Sequence, residues 1–201
     1  MRNIYKYIIA IVIGIFVGVI TLIGQKYLPI NFNFLANSGA ICLIPAFLLS
    51  CYFNLEKKES IFISTICLLS CVFGYYIFES IVNNHSFQIN NLMIVWIVCA
   101  IIGGIVIGLG TYFFNNEKGI LKKISSNLLP AIFVSEGLNK IIHIDGYKHM
   151  IPAIIIVTCI GLILYFIINK KESLHRNNII TFAILCILGL VFYEFIFWIT
   201  L

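Results

Sequence analysis

The chain has few charged residues for its length. Of its 201 residues, 10% are charged and 61% are hydrophobic, whereas a soluble domain has about 25% charged residues. A soluble chain could not bury so much apolar surface, which excludes an ordinary soluble globular protein. At about 20 residues for each membrane-spanning helix, this length accommodates several spans joined by short loops.

The sequence also lacks the short motifs of common hydrolases and nucleotide-binding proteins. No H-E-x-x-H, G-x-S-x-G or G-x-x-x-x-G-K-[ST] pattern occurs. Its seven cysteines are scattered through apolar stretches without a C-x-x-C pair, which argues against a disulfide framework or a zinc site. No basic domain is present to bind nucleic acid. We therefore expect no catalytic residues, metal, cofactor or nucleic-acid partner.

Long apolar runs separated by polar residues predict an all-α, polytopic transmembrane helix bundle, because spanning segments must satisfy their own backbone hydrogen bonds. The first run lacks an A-x-A-like cleavage site, so we interpret it as a retained span rather than a signal peptide. We expect a single transmembrane domain over residues 1–201, with spans at about 4–23, 35–53, 60–82, 91–114, 127–143, 150–168 and 178–200.

The distribution of Lys and Arg predicts the orientation, since short cytoplasmic loops retain positive charge. With the N-terminus in the cytoplasm, seven spans place ten of the thirteen positive residues inside, Arg2 and Lys171 among them. Only Lys26, Lys140 and Lys148 fall outside. If the fifth segment did not cross, the ratio would weaken to nine against four, so the bias favours seven spans over six. A bacterial plasma membrane, with the C-terminus outside, is the expected location.

Two spans share a glycine pattern. Gly14 and Gly18 in span one match Gly104 and Gly108 in span four, and a Pro-Ala pair recurs in spans two and five. A shift of three spans would place the two halves in opposite orientations, as in many secondary transporters, with span seven as an addition. Alternatively, G-x-x-x-G only allows close packing of helices, with Gly14, Gly18, Gly104 and Gly108 at the contacts.

Ionisable residues inside spans are costly and are functional candidates. Lys140 follows Glu136 at i+4, so the two could form an internal ion pair; alternatively, Glu136 binds a proton or a cation in a cavity. Glu79 and Glu194 lie near the outer ends of their spans, where they could be interfacial anchors instead. The candidates for a substrate or ion pathway are Glu136, Lys140, Glu194, Glu79, Gln25 and Asn37.

The segment from Gly14 to Ser50 reads G-x-x-x-G-x-x-T-x-x-G-Q-x-x-L-P, then L-A-N-S-G-A and a second apolar span. It resembles the start of an uncharacterised family of small bacterial integral membrane proteins of unknown function. The resemblance implies a polytopic membrane protein and assigns no activity. In physical terms, the segment predicts a turn at Pro29 and a second helix capped by Asn37 or Ser38.

The best-supported expectation is a small-solute transporter or a membrane subunit of one, in contact with the lipid bilayer. The alternative is a non-catalytic scaffold, immunity or accessory protein that docks a membrane protein or a second copy through its glycine faces. An intramembrane enzyme is less favoured, because no nucleophile, base and metal can be assembled from these residues.

Overall fold

A computed structural model describes residues 4–200. Arg2, one of the ten positive residues counted for the cytoplasmic side, lies outside the described residues, as does the side chain of Lys171. The helices are α1 (Ile4–Tyr27), α2 (Asn33–Asn37), α3 (Gly39–Phe53), α4 (Lys57–Val82), α5 (Asn91–Asn116), α6 (Ile120–Ile142), α7 (Ile144–Tyr147), α8 (Ile151–Asn169) and α9 (Arg176–Thr200).

The predicted all-α transmembrane bundle is confirmed, with a long helix at each of the seven predicted positions. Among residues 4–200, six segments are long and apolar enough to cross a membrane: Ile4–Tyr27, Ile30–Phe53, Lys57–Val82, Asn91–Asn116, Ile144–Asn169 and Arg176–Thr200. The protein is therefore embedded in a membrane through several helices. The seventh long helix, α6, is not among these six.

Helix α6 can contain more polar residues than the other long helices because neighbouring helices surround it. It begins at Ile120 rather than near residue 127, and twelve of its 23 residues are buried against α8, α9 and the α3 N-terminus. By contrast, only two of the 25 residues of α9 are buried. A helix that faces protein can carry polar side chains, because neighbouring residues pair with them. That α6 crosses the bilayer stays a prediction.

The described chain divides into two compact units. The first contains α1, α4, α5 and α3 from Cys42 onward, and the second contains Leu28–Ile41 and the chain from Asn116 onward. The prediction of a single transmembrane domain stays a prediction.

Glycines let α1 approach α4 closely in the first unit. A Cβ atom added at Gly14 would collide with the carbonyl oxygen of Cys67, and one added at Gly18 with that of Cys71. These are backbone atoms of α4, which cannot move aside as a flexible side chain can. Small residues at this spacing therefore set the distance between the two helices.

The glycines of α5 pack on the same helix, α4. A Cβ atom at Gly104 would collide with the backbone of Thr65, and one at Gly108 with that of Ile61. An inverted three-span repeat would instead place them on α8, the counterpart of α4. The packing of the glycines therefore gives the repeat no support.

The second predicted span is discontinuous. A 3₁₀ turn, Ile30–Phe32, leads into α2, and the backbone is extended at Ser38, with φ −68° and ψ 116°, before α3 begins. The Ser38 hydroxyl accepts a hydrogen bond from the backbone N–H of Ile41, at 3.2 Å. Ser38 is thus the N-cap of α3, which decides between the two predicted caps. The break falls inside the Ile30–Phe53 segment.

Candidate functional site

The Glu136 carboxylate lies at this helix break. Glu136 is 4% exposed, and its Oε2 atom accepts hydrogen bonds from the Ser38 hydroxyl at 2.6 Å and the Ala40 N–H at 3.1 Å. Its Oε1 atom accepts a third from the Gly39 N–H at 2.8 Å. All three donors are neutral, and all belong to the N-terminus of α3.

The N-terminus of α3 favours this anion for two reasons. The first N–H groups of a helix have no partner within it, and the aligned peptide dipoles place partial positive charge there. An anionic ligand commonly occupies such a position. In this protein, a carboxylate from α6 occupies it.

The absence of a side chain at Gly39 leaves space between the Glu136 carboxylate and the Tyr193 hydroxyl. A Cβ atom on Gly39 would lie 3.7 Å from both Glu136 Oε1 and the Tyr193 hydroxyl, which is ordinary contact. The site thus has room for a small group beside the carboxylate. Ser38, Gly39, Ala40 and Glu136, with Tyr193 at the edge, form what we call the α3–Glu136 site.

Lys140 does not form the predicted ion pair with Glu136. Lys140 and Glu136 form no ion pair within the described chain, whereas Lys6 pairs with Glu59 and Lys148 with Asp145. The Lys140 ammonium instead donates to the Tyr147 hydroxyl at 3.1 Å and lies 4.2 Å from the centre of the Tyr147 ring. The physical reason is that Glu136 faces α3, whereas the longer Lys140 side chain reaches past the end of α6 to aromatic rings.

Glu194 is held by Asn139 of α6, by Trp198 of α9 and by His143, the residue that directly follows α6. It accepts hydrogen bonds from Asn139 at 2.9 Å and Trp198 at 3.0 Å, and His143 Nε2 lies 2.8 Å from its Oε2 atom. The His143 ring stacks on Phe197, with 3.7 Å between ring centres. Asn139 and His143 follow Glu136 at i+3 and i+7. The residues that bind Glu194 therefore lie on the side of α6 and its C-cap that also carries Glu136.

The remaining pathway candidates take no part in the hydrogen bonds described above. Gln25 and Glu79 belong to the first unit, where Gln25 accepts a hydrogen bond from the Tyr75 hydroxyl at 2.6 Å. Glu79 is partly buried in α4, near its C-terminal end. Asn37 is exposed at the end of α2 and donates to Asn33 Oδ1 at 2.7 Å. That the six candidates line one pathway stays a prediction.

The sequence does not predict a contact of Glu136 with Ser38 or Tyr193, and Ser38 and Glu136 are 98 residues apart in the chain. Two features of the sequence could have indicated the contact. Ser38-Gly39 is a pair typical of the start of a helix, and Glu136 is an acidic residue unusually deep in an apolar segment. Among residues 4–200, no three His, Cys, Asp or Glu side chains come together as a metal site would require.

The comparisons with known proteins give one match. No curated protein and no solved structure matches the chain. A family model described as a family of unknown function, DUF6518, matches residues 1–198. This confirms the predicted membership of an uncharacterised family. The chain therefore belongs to the family of unknown function DUF6518.

Proposed function

We propose that this protein transports a small solute across the bacterial plasma membrane, with its N-terminus in the cytoplasm and its C-terminus outside. The α3–Glu136 site is the point of solute binding. The observation that carries the proposal is the Glu136 carboxylate on the N-terminus of α3, inside a segment long enough to span the membrane.

The discontinuous helix supports transport. Many secondary transporters place the N-terminus of a broken helix within the membrane, where it faces an anionic group of the substrate. Irregular backbone at that depth is tolerated only where protein or a water-filled cavity surrounds it. The break at Ser38 supports the proposal, since Ser38 is fully buried and the N–H groups that follow it donate to an anion, the protein's own Glu136.

The chemistry of Glu136 suggests how solute and proton could be coupled. As a carboxylate, Glu136 occupies the donors of Ser38, Gly39 and Ala40. A proton on Glu136 removes its negative charge and weakens these hydrogen bonds, because charge-assisted bonds are about twice as strong as neutral ones. The α3 N-terminus then becomes available to the anionic group of a solute. We therefore expect symport of a proton with a small anion.

Transport in proteoliposomes tests this proposal. A panel of small carboxylates is added on one side, while a pH-sensitive dye enclosed in the vesicles reports proton movement. We expect solute-dependent proton entry for the wild type, and loss of that proton coupling in Glu136→Gln, whose side chain stays neutral. Glu59→Gln is the matched control, because Glu59 lies at the start of α4 and pairs with Lys6. Proton coupling that survives in Glu136→Gln would contradict the proposal.

The alternative function is docking of a membrane partner, but the glycine faces predicted to bind that partner are already occupied within the chain. The glycines of α1 and α5 pack on α4 within the chain. A partner or a second copy would have to bind elsewhere. Crosslinking in native membranes separates the two functions, since a stoichiometric partner together with inactive proteoliposomes would favour docking. An intramembrane enzyme stays the least favoured reading.

A further inference from the structure

A polar cleft of about 370 Å³ opens at the opposite end of α6 from the Glu194 contacts. It lies in the second unit, between the start of α6 and the connection from α8 to α9. Its lining residues are all polar or charged: Lys123, Glu172, His175, Arg176 and Asn177. None of the described residues that line it has a hydrophobic side chain, which favours a polar ligand.

Buried amides fix the α6 wall of this cleft. The Asn127 side chain donates to Asn178 Oδ1 and to the Lys123 carbonyl, both at 2.8 Å. Asn169 donates to Asn127 Oδ1 at 3.0 Å, and Ser126 donates to Asn169 Oδ1 at 2.8 Å. The backbone of Lys123 is thereby tied to α8 and α9.

The connecting segment is fixed in the same way. The Tyr165 hydroxyl donates to the Ser173 carbonyl, and the Ser173 hydroxyl donates to the Lys170 carbonyl at 2.7 Å. Asn178, which is fully buried, lies directly after the cleft residues Arg176 and Asn177. A rigid frame of this kind reduces the entropy lost when a ligand binds.

The positive charges of the cleft favour the binding of an anion. Lys123 and Arg176 carry positive charge, and His175 adds a further ring nitrogen, against the single carboxylate of Glu172. The first N–H groups of α9 have no partner within the helix and lie at Arg176 and Asn177. Arginine and lysine together with helix N–H groups are the usual ligands of phosphate.

From this geometry we infer that the cleft binds a phosphate group. The phosphate can belong to the headgroup of an anionic lipid or to a soluble phosphate compound, because both present the same oxygens. The predicted orientation places the cleft at the cytoplasmic face, where anionic lipids attract Lys and Arg. The inference does not depend on transport through the α3–Glu136 site.

Two binding measurements on the full chain in uncharged detergent separate the two sources. In the first, inorganic phosphate replaces chloride at constant ionic strength and the midpoint of thermal unfolding is recorded. In the second, equal amounts of phosphatidylglycerol and phosphatidylcholine compete for the protein, and native mass spectrometry counts the bound lipid. A lipid site retains phosphatidylglycerol and ignores phosphate. A site for soluble phosphate is stabilised by phosphate and shows no lipid preference.

Substitutions of exposed or half-buried residues test the location without disturbing the fold. Arg176→Gln and Lys123→Gln should each weaken binding about tenfold, as the loss of one charge-assisted hydrogen bond predicts. Glu172→Gln should strengthen binding, because it removes the negative charge of Glu172 from the cleft. Lys148→Gln is the control, since Lys148 lies at the other end of the second unit and pairs with Asp145.

The inference is overturned by either of two results. One is that neither phosphate nor phosphatidylglycerol binds above the phosphatidylcholine level. The other is that Arg176→Gln, Lys123→Gln and Lys148→Gln bind equally well. Because proton coupling at Glu136 is measured separately, failure of the phosphate site leaves the transport proposal standing, and the converse also holds.

Discussion

The two units of this protein differ in the kind of polar group that they bury. In both, glycines bring helices together at distances that leave no room for a Cβ atom, as at Gly104 against α4 in the first unit and Gly161 against α6 in the second. In the first, buried hydrogen bonds join neutral groups, such as the hydroxyls of Ser60 and Thr111. In the second, α6 is joined to its neighbours by hydrogen bonds of Asn, Ser and Glu side chains, and these include the buried carboxylate of Glu136. An ionisable group enclosed in a membrane is costly and accompanies function. A functional site is therefore expected in the second unit.

The largest expected effect comes from a substitution in the polar frame of the second unit. We use this name for the buried, hydrogen-bonded side chains of Ser126, Asn127, Asn169 and Asn178. Asn127→Ala removes a fully buried amide and leaves Asn178 Oδ1 and Asn169 Nδ2 each without one partner. We expect the free energy of unfolding to fall by about 3 kcal/mol, since each buried unsatisfied group costs about 1–3 kcal/mol. Unfolding by SDS in mixed micelles measures it. Asn177→Ala, at an exposed position beside Asn178, should leave stability unchanged; equal losses would contradict the role of the frame.

The next effect tests the glycine packing of the first unit with two adjacent residues. Gly104→Ala forces its Cβ atom against the backbone of Thr65, and we expect a loss of about 2 kcal/mol from overpacking. Gly103→Ala places its Cβ atom 3.5 Å from the side-chain ends of Leu43 and Leu68, which is ordinary contact. It should be neutral or slightly stabilising in the same assay. Similar losses for both variants would show that α5 does not approach α4 as described.

A smaller effect probes the α3–Glu136 site. Ser38→Ala removes the N-cap of α3 and one donor to Glu136, and we expect a loss of about 1.5 kcal/mol. Because Ser38 and Glu136 share a hydrogen bond, Ser38→Ala and Glu136→Gln should not be additive. A double-mutant cycle on unfolding free energies measures this coupling, and strict additivity would refute the contact.

The smallest effect concerns Lys140. Replacing it with Met keeps the length of the side chain but removes the charge over the Tyr147 ring, and we expect a loss of about 0.5–1 kcal/mol. A loss several times larger would indicate that Lys140 is paired with a buried carboxylate instead, as the i+4 spacing suggested. The same unfolding assay decides between the two arrangements.

The sequence predicts the helices well because each depends on local composition. Apolar runs of sufficient length located all seven long helices, and the polar stretch around Asn139 and Lys140 correctly set α6 apart. The predicted start of α6 at residue 127 is too late, because Ser125 and Ser126 look like a loop by composition. In the structure both are buried, and Ser126 donates to Asn169 of α8, just as Asn127 donates to Asn178 of α9.

The site depended on contacts that composition does not reveal. Glu136 was selected by its depth in an apolar segment, but its partners lie in the N-terminal part of the chain. Local spacing offered Lys140 as the obvious partner, since i+4 pairs are the usual ones on a helix. Glu136 binds the break at Ser38 rather than Lys140, because the helix N-terminus supplies three neutral donors at once. An ion pair with Lys140 would require the desolvation of a second charge.

The most direct test asks whether water reaches the α3–Glu136 site. Gly39→Cys, in a variant whose seven native cysteines are replaced by Ala, places a thiol beside Glu136 Oε1 and the Tyr193 hydroxyl. A water-soluble thiol reagent is applied to proteoliposomes from either side, with Gly103→Cys as the control within α5. We predict that Cys at position 39 reacts and Cys at position 103 does not. A position 39 thiol that reacts only with lipid-soluble reagents would contradict a solute pathway at Glu136.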